Sequence, residues 1–179
     1  MFFIIPLIAL IVSSLWSVEH KAGLKLIRTS PIKNINFIKE KSFIAFIIIA
    51  FTQIYFLFVL SGKFICGFTI EGLGLYFYYI GISILSSLPI IAIMNYLSLK
   101  TKSLGLIVLI SVLISIFGFA LVAQNIFPLF QNIIASSKLA ITTNHFDLIN
   151  KVDGIKMLLF SLIEILTFTK LSNKFLKYE

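Results

Sequence analysis

Apolar residues fall along this chain in long blocks, separated by short polar segments that are mostly rich in lysine. Each block approaches or exceeds the ~18 residues that cross a bilayer as a helix. We therefore expect five membrane spans, over residues 1–18, 42–62, 72–99, 103–123 and 154–171. The third block is long enough to tilt strongly or to break near Pro89, where nearby serines satisfy the carbonyls that a proline frees.

The segment between the last two spans has a different pattern. Apolar and polar residues there tend to opposite sides of a helix, with Ile126, Phe127, Leu129, Phe130, Ile133 and Ile134 against Gln124, Gln131, Ser137 and Lys138. This pattern predicts an interfacial amphipathic helix over about residues 127–141, with Pro128 in its first turn. A re-entrant hairpin is the alternative.

Composition agrees with a membrane location. Hydrophobic residues make up 59% of the 179 residues and charged residues 12%, and the mean hydropathy is +1.07. Such a chain cannot supply the polar surface that a soluble domain of this length needs. We therefore predict an all-α fold, a single integral membrane domain over residues 1–179 that forms a polytopic helical bundle in the lipid bilayer.

The basic residues indicate the orientation. With the N-terminus outside, eleven Lys and Arg residues fall in cytoplasmic segments and four in outer segments, which is the bias of the positive-inside rule. We expect the cytoplasmic (inner) membrane of a bacterium, with the C-terminus in the cytoplasm. The net charge is +8, but the basic residues flank apolar runs and form no stripe with stacking aromatics, so we expect no nucleic-acid partner.

Residues that could carry catalysis or bind a metal are scarce and dispersed. His20 and His145 fall on opposite sides of the membrane in this topology, and Cys66 is the single cysteine. No metalloprotease, nucleophile-elbow, phosphate-loop or paired-carboxylate motif occurs in the sequence. We therefore expect no enzymatic activity, no metal site and no cofactor.

Four polar residues inside the apolar blocks form the main candidate site. Glu164 lies six residues before Lys170, about 9 Å from the cytoplasmic edge at the helical rise. Asn95, Gln53 and Ser111 lie at similar or somewhat greater depth on three other spans. A carboxylate at depth costs about 2.5–3.5 kcal/mol on insertion scales and should turn toward partners. Either Glu164 relays protons or cations, or it hydrogen-bonds Asn95 or a serine and holds helices together.

The basic segment after the first span is a second candidate. Lys21, Lys25, Arg28 and Lys33 are expected to contact anionic lipid headgroups, at roughly 1 kcal/mol each near the surface. The alternative is that these residues only reflect the orientation rule. Trp16, just before them, is expected at the membrane interface, where tryptophan is enriched.

Two stretches resemble a known family. Residues 28–49, RTSPIKNINFIKEKSFIAFIII, resemble the start of Yip-type polytopic membrane proteins, whose eukaryotic members associate with Rab GTPases. Four residues fit the outline of that start: Ser30, Pro31, Phe37 and Glu40. Residues 145–174 are similar to the family's late segment, although here an extra span precedes the match and a final span is missing. The resemblance implies a non-enzymatic membrane protein that works through partners or lipids.

These observations favour a non-catalytic integral membrane protein that acts as a subunit, assembly factor or scaffold. Its expected partners are other membrane-protein subunits or further copies of itself. The alternative function is a small proton- or cation-coupled transporter, or an ion-conducting subunit, that uses Glu164. A membrane-embedded enzyme is the least favoured class, because no nucleophile–base or metal set is visible.

Overall fold

The computed structural model describes residues 4–23, 33–64, 70–124, 133–134, 136–137, 140 and 148–178. Within these ranges the chain is helical and contains no strand, which confirms the predicted all-α class. The helices with described bounds are α1 (Ile4–Ala22), α2 (Asn34–Phe64), α3 (Ile70–Leu85), α4 (Ser87–Thr101), α5 (Leu104–Ala123) and α6 (Lys151–Tyr178). Pro89 lies in the first turn of α4, where the missing N–H of proline breaks no hydrogen bond within that helix.

The third apolar block is two helices, and the predicted break near Pro89 falls at Ser86. Pro89 cannot donate a hydrogen bond back into α3, so the helix is weakened at this point. The Ser86 hydroxyl donates to the Ile82 carbonyl, and the Ser87 hydroxyl donates to the Ile84 carbonyl at 2.6 Å. The Ser86 backbone N–H also reaches the Ile82 carbonyl at 2.9 Å. The break is therefore a kink between two helices that remain joined by local hydrogen bonds.

Two helical stretches are long and apolar enough to cross a membrane. One is Gly74–Thr101, with 28 residues including the kink, and the other is Leu104–Val122, with 19 residues. Ile4–Ser17 is apolar but shorter. Helix α6 also has 28 residues, but it carries charged residues along its length: Lys151, Asp153, Lys156, Glu164, Lys170, Lys174 and Lys177. The described helices thus support two spans by length and composition, where the sequence predicted five.

Helix α4 lies at the centre of the bundle and contacts α1, α2, α3, α5 and α6. Its buried residues surround the helix axis: Ser87, Pro89, Ile90, Ile91, Ala92, Met94, Asn95, Ser98 and Leu99. A helix that is apolar on most sides is stable when neighbours cover it all round. Around it, α1 also packs against α2 and α5, and α2 packs against α3 and α6.

The outer faces of α2, α5 and α6 are apolar and exposed. These three helices carry twenty-six of the thirty-two large hydrophobic side chains that are exposed among the described residues. Phe51 and Tyr55 of α2 expose 69% and 70% of their surface, and Phe117 of α5 exposes 64%. Serine, asparagine and glutamine side chains are buried inside the bundle. The outside of this bundle is therefore apolar and its interior carries polar groups.

Most of the predicted interfacial helix, residues 127–141, lies outside the described residues. Ile133 and Ile134 are buried against the main core, and Ala140 packs with Tyr76 and Tyr79 of α3. Ser137 was expected on the polar side of this helix, but it is buried. Its hydroxyl donates to the Ile133 carbonyl at 2.7 Å, and this internal bond removes the need for water.

Candidate functional site

The polar centre of the bundle is the side chain of Asn95, which joins three helices. The Trp16 indole N–H of α1 donates to Asn95 Oδ1 at 2.7 Å. The Asn95 Nδ2 amide donates to the Ser42 hydroxyl of α2 at 2.8 Å, and that hydroxyl donates to the Ile38 carbonyl at 2.8 Å. Trp16 is fully buried and Asn95 is 1% exposed. Because both partners are withdrawn from solvent, each bond satisfies groups that would otherwise be buried without a partner.

Lys41 of α2 completes this cluster from its edge. Its Nζ donates to the Leu15 carbonyl of α1 at 2.7 Å. The same ammonium group lies 5.7 Å from the Trp16 ring centre and 5.3 Å from the Phe37 ring centre. The two rings meet edge to face at 5.8 Å. Within ~6 Å of an aromatic face a cation is attracted by the ring quadrupole, so Lys41 holds α1 against α2 by two kinds of contact.

The sequence predicted Trp16 at the membrane interface, and the structure shows that its side chain is packed inside the bundle. The ring is buried between helices, because Asn95 offers an acceptor for the indole N–H inside the bundle. A sequence signal existed: Trp16 is the single tryptophan, and Asn95 interrupts an otherwise apolar run. Buried tryptophan usually finds a hydrogen-bond partner for its N–H, which makes a Trp–Asn pair between spans a reasonable expectation.

Gln53 and Ser83 form a second polar contact, between α2 and α3. The Gln53 Nε2 amide lies 3.5 Å from the Ser83 carbonyl, at the long limit of a hydrogen bond. Both residues are buried. Gln53 Oε1 and Ser83 Oγ have no hydrogen-bond partner within the described part of the chain. This contact is therefore much weaker than the one at Asn95.

Ser111 lies on the buried side of α5, the helix that packs against α1. Its hydroxyl donates to the Val108 carbonyl at 2.6 Å, and the Ser115 hydroxyl donates to the Ser111 carbonyl at 3.0 Å. Serine in a helix interior often bonds back to its own preceding turn in this way. Ser111 therefore does not link helices through its hydroxyl.

Glu164 is half-buried on α6, the helix that contacts α4 and α2. Phe168, one turn further on the same side of α6, packs against Tyr96 of α4, with the ring centres 5.9 Å apart and the ring planes tilted by 53°. Glu164 Oε2 is buried and has no hydrogen-bond partner among the described residues. The Asn95 amide oxygen and nitrogen are both engaged with other residues. The carboxyl group therefore turns toward the bundle without reaching the amide at its centre.

The four residues of the predicted polar cluster thus lie in the interior but do not form one network. In the described ranges, no hydrogen bond joins any two of Glu164, Asn95, Gln53 and Ser111. Asn95 and Gln53 each contact a neighbouring helix, whereas Ser111 bonds within its own. The sequence grouped these residues by depth along each span, but their partners also depend on rotation about each helix axis.

The predicted headgroup contacts can be placed only in part. Lys33 is exposed immediately before α2, and Lys21 lies in the last turn of α1. Lys25 and Arg28 lie outside the described residues. In the part of the chain that the structure describes, no group of three or more His, Cys, Asp or Glu residues could hold a metal ion.

Comparison with known proteins adds no further constraint on the site. No protein-family model, no curated protein and no solved structure matches the chain.

Proposed function

We propose that this chain is a non-catalytic, polytopic integral membrane protein that acts as a subunit, assembly factor or scaffold of a membrane complex. The observation that carries the proposal is the apolar exterior of α2, α5 and α6 around a polar interior. Burying one large apolar side chain is worth about 1.5–3 kcal/mol. Three helices expose twenty-six such side chains. Soluble monomers rarely expose contiguous apolar patches of that extent. A bilayer or a membrane partner covers such a surface.

The five spans, with the N-terminus outside and the C-terminus in the cytoplasm, are part of this proposal. Helix α2 supports it, because ten of the exposed hydrophobic side chains lie between Phe43 and Val59. Helix α6 supports it in the same way from Val152 to Leu171. Charged residues near the ends of a span reach the interface by extending their long side chains. The inner membrane of a bacterium remains the proposed location.

The polar residues inside the bundle hold helices together, which supports a non-catalytic role in this proposal. Trp16, Asn95, Ser42 and Lys41 are engaged in contacts between α1, α2 and α4. Interhelical hydrogen bonds of this kind stabilise membrane bundles, by about 0.6 kcal/mol each on average. The best-formed polar site in the bundle thus stabilises the packing of its helices.

Glu164 favours a subunit over a self-sufficient protein. Its Oε2 atom has no partner in the described residues, although polar groups within spans normally face partners. Its flanking positions on α6, Ile163 and Leu166, are exposed. A donor from a second polypeptide, or from a second copy of this chain, would satisfy the carboxyl group.

The test is extraction of the tagged protein in a mild detergent, followed by native mass spectrometry of the wild type and two variants. We expect a complex of fixed stoichiometry. Glu164→Gln retains a donor and an acceptor and should keep that complex, whereas Glu164→Leu should weaken it, since both are lost. A wild-type protein that is monomeric at all detergent concentrations would contradict the proposal.

Proton- or cation-coupled transport through Glu164 is the second candidate function. The buried carboxyl oxygen without a partner is the observation that favours it. Reconstituted protein should then carry a pH-dependent flux in liposomes. Glu164→Gln should abolish that flux while assembly is unchanged, because an amide cannot carry a proton. If the wild type shows no flux and Glu164→Leu loses assembly, transport through Glu164 is refuted and the subunit role is supported.

A further inference from the structure

A long apolar groove runs along α6 where it faces α3 and the start of α4. Its volume is about 560 Å³. Most of its lining is aliphatic, including Ile82, Leu85, Leu88, Leu158, Leu162 and Ile165. Lys151 is the charged residue of the lining, and it is the first residue of α6. The groove is therefore apolar along its length, with a cation at the end where α6 begins.

The length of the groove suits one hydrocarbon chain. Its lining residues recur on α6 from Lys151 to Ile165, a length of about 21 Å at the helical rise. One leaflet of a bilayer has a hydrocarbon thickness of about 15 Å, half of the whole core. An acyl chain that spans one leaflet can therefore lie along α6 within the groove.

The charge at the mouth indicates the headgroup. Lys151 is exposed, so its ammonium group can reach a ligand at the surface. Asp153, the nearest acidic residue on α6, pairs with Lys156, whose Nζ lies 3.7 Å from Asp153 Oδ1. A cation near the membrane surface attracts anionic lipid, and long lysine side chains extend along apolar surface to reach it.

We propose that this groove is a specific binding site for an anionic phospholipid, with one acyl chain along α6 and the phosphate at Lys151. The proposal rests on the integral membrane role proposed above, because it places α6 in a bilayer. It goes beyond that role in assigning a lipid class and a site. The bound chain would also fill the space between α3 and α6, and so stabilise the kinked pair α3–α4 against α6.

Gly154 offers a direct way to block the groove. It lines the groove, and a Cβ atom built on it meets no heavy atom within 4 Å. Gly154→Phe should therefore project a ring into the groove without displacing the backbone. Gly105, in the first turn of α5, has equally open surroundings and does not line the groove. Gly105→Phe is the matched control, because both variants replace a helical glycine by the same residue.

The experiment uses phosphatidylglycerol with a photoreactive group in one acyl chain, incorporated into nanodiscs with the full-length protein. Crosslinked peptides are mapped by mass spectrometry. We expect crosslinks concentrated on Leu158, Leu162 and Leu85, with at least a fivefold loss in Gly154→Phe and no loss in Gly105→Phe. Crosslinks spread evenly over the exposed faces of α2, α5 and α6 would show only general lipid contact and overturn the proposal.

The headgroup preference is tested in the same nanodiscs by competition with unlabelled lipids. Phosphatidylglycerol should compete better than phosphatidylcholine, and Lys151→Gln should reduce this preference about fivefold, as expected for one basic residue. Lys170→Gln is the control, since Lys170 is exposed on the same helix but lies outside the groove. Equal competition by both lipids in the wild type would overturn the headgroup assignment.

Failure of this proposal can be separated from failure of the proposed function. Alkaline carbonate removes peripheral proteins from membranes and leaves integral ones. A chain that carbonate extracts would refute the integral membrane role. A chain that resists carbonate but gives evenly spread crosslinks would keep that role and refute the lipid site alone.

Discussion

Asn95→Leu removes the central polar contact of the bundle while keeping a side chain of similar size. The substitution deletes the acceptor for the Trp16 indole N–H and the donor to the Ser42 hydroxyl. Leucine cannot replace either bond. The indole N–H then stays buried without a partner, because Trp16 has no exposed surface through which water could reach it. The perturbation is therefore confined to two bonds that join α4 to α1 and α2.

The expected cost follows from the strength of such bonds in membranes. Interhelical hydrogen bonds average about 0.6 kcal/mol and reach about 1.7 kcal/mol. Two bonds lost together predict a fall of about 1–3 kcal/mol in the free energy of unfolding. Ser42→Ala should cost about 0.6 kcal/mol more in the wild type than in Asn95→Leu, because in both backgrounds it also removes the bond to the Ile38 carbonyl. This double-mutant cycle isolates the Asn95–Ser42 bond from other effects of either substitution.

The assay is reversible unfolding in mixed micelles of dodecyl maltoside and sodium dodecyl sulfate, followed by circular dichroism and tryptophan emission. Trp16 is the single tryptophan, so its emission reports on this site. Loss of the indole hydrogen bond should shift folded-state emission to shorter wavelength in Asn95→Leu. Ser111→Ala is the control, because its hydroxyl bonds within α5. If Asn95→Leu unfolds at the same detergent fraction as Ser111→Ala, Asn95 does not hold the helices together.

Two further predictions use the same unfolding assay. Gln53→Leu should lower stability by less than about 0.5 kcal/mol or increase it. The substitution removes a 3.5 Å contact and a buried oxygen that has no described partner. A loss of stability as large as that of Asn95→Leu would mean that the Gln53 amide makes good hydrogen bonds. Lys41→Met keeps the apolar stem but removes the bond to the Leu15 carbonyl and the cation–π contacts. It should cost about 1 kcal/mol, and an unchanged midpoint would show that the ammonium group contributes nothing.

The helices could be predicted from the sequence because long apolar runs and a proline are local signals. The kink at Ser86, close to Pro89, is one example, since a proline cannot donate the hydrogen bond that would continue the preceding helix through it. The partners of the polar residues could not be predicted from the same signals. Helix α4 is buried on most sides, so its sequence has no polar stripe to show which way Asn95 points. The sequence gives the depth of a residue along its helix, but a hydrogen bond also requires that the side chain point toward its partner, which depends on the rotation of the helix about its axis.

Trp16 and Ser111 show the same limit of sequence-based prediction. Trp16 was assigned to the interface by the general preference of tryptophan, yet an acceptor on α4 holds it in the interior. Ser111 was grouped with Glu164 by depth, yet its own helix satisfies its hydroxyl. In both cases one hydrogen bond decides the surroundings of the side chain, and depth along the span does not predict it.

The central claim is that the exposed apolar faces of α2, α5 and α6 lie in lipid. Spin labels on single cysteines test it most directly, after Cys66→Ser removes the native thiol. Labels at Phe51, Phe117 and Leu166, one on each face, should collide often with oxygen and rarely with a water-soluble nickel chelate in liposomes. A label at Ser103, exposed between α4 and α5, should show the reverse. Strong nickel collisions on all three faces would place these helices in water and contradict the claim.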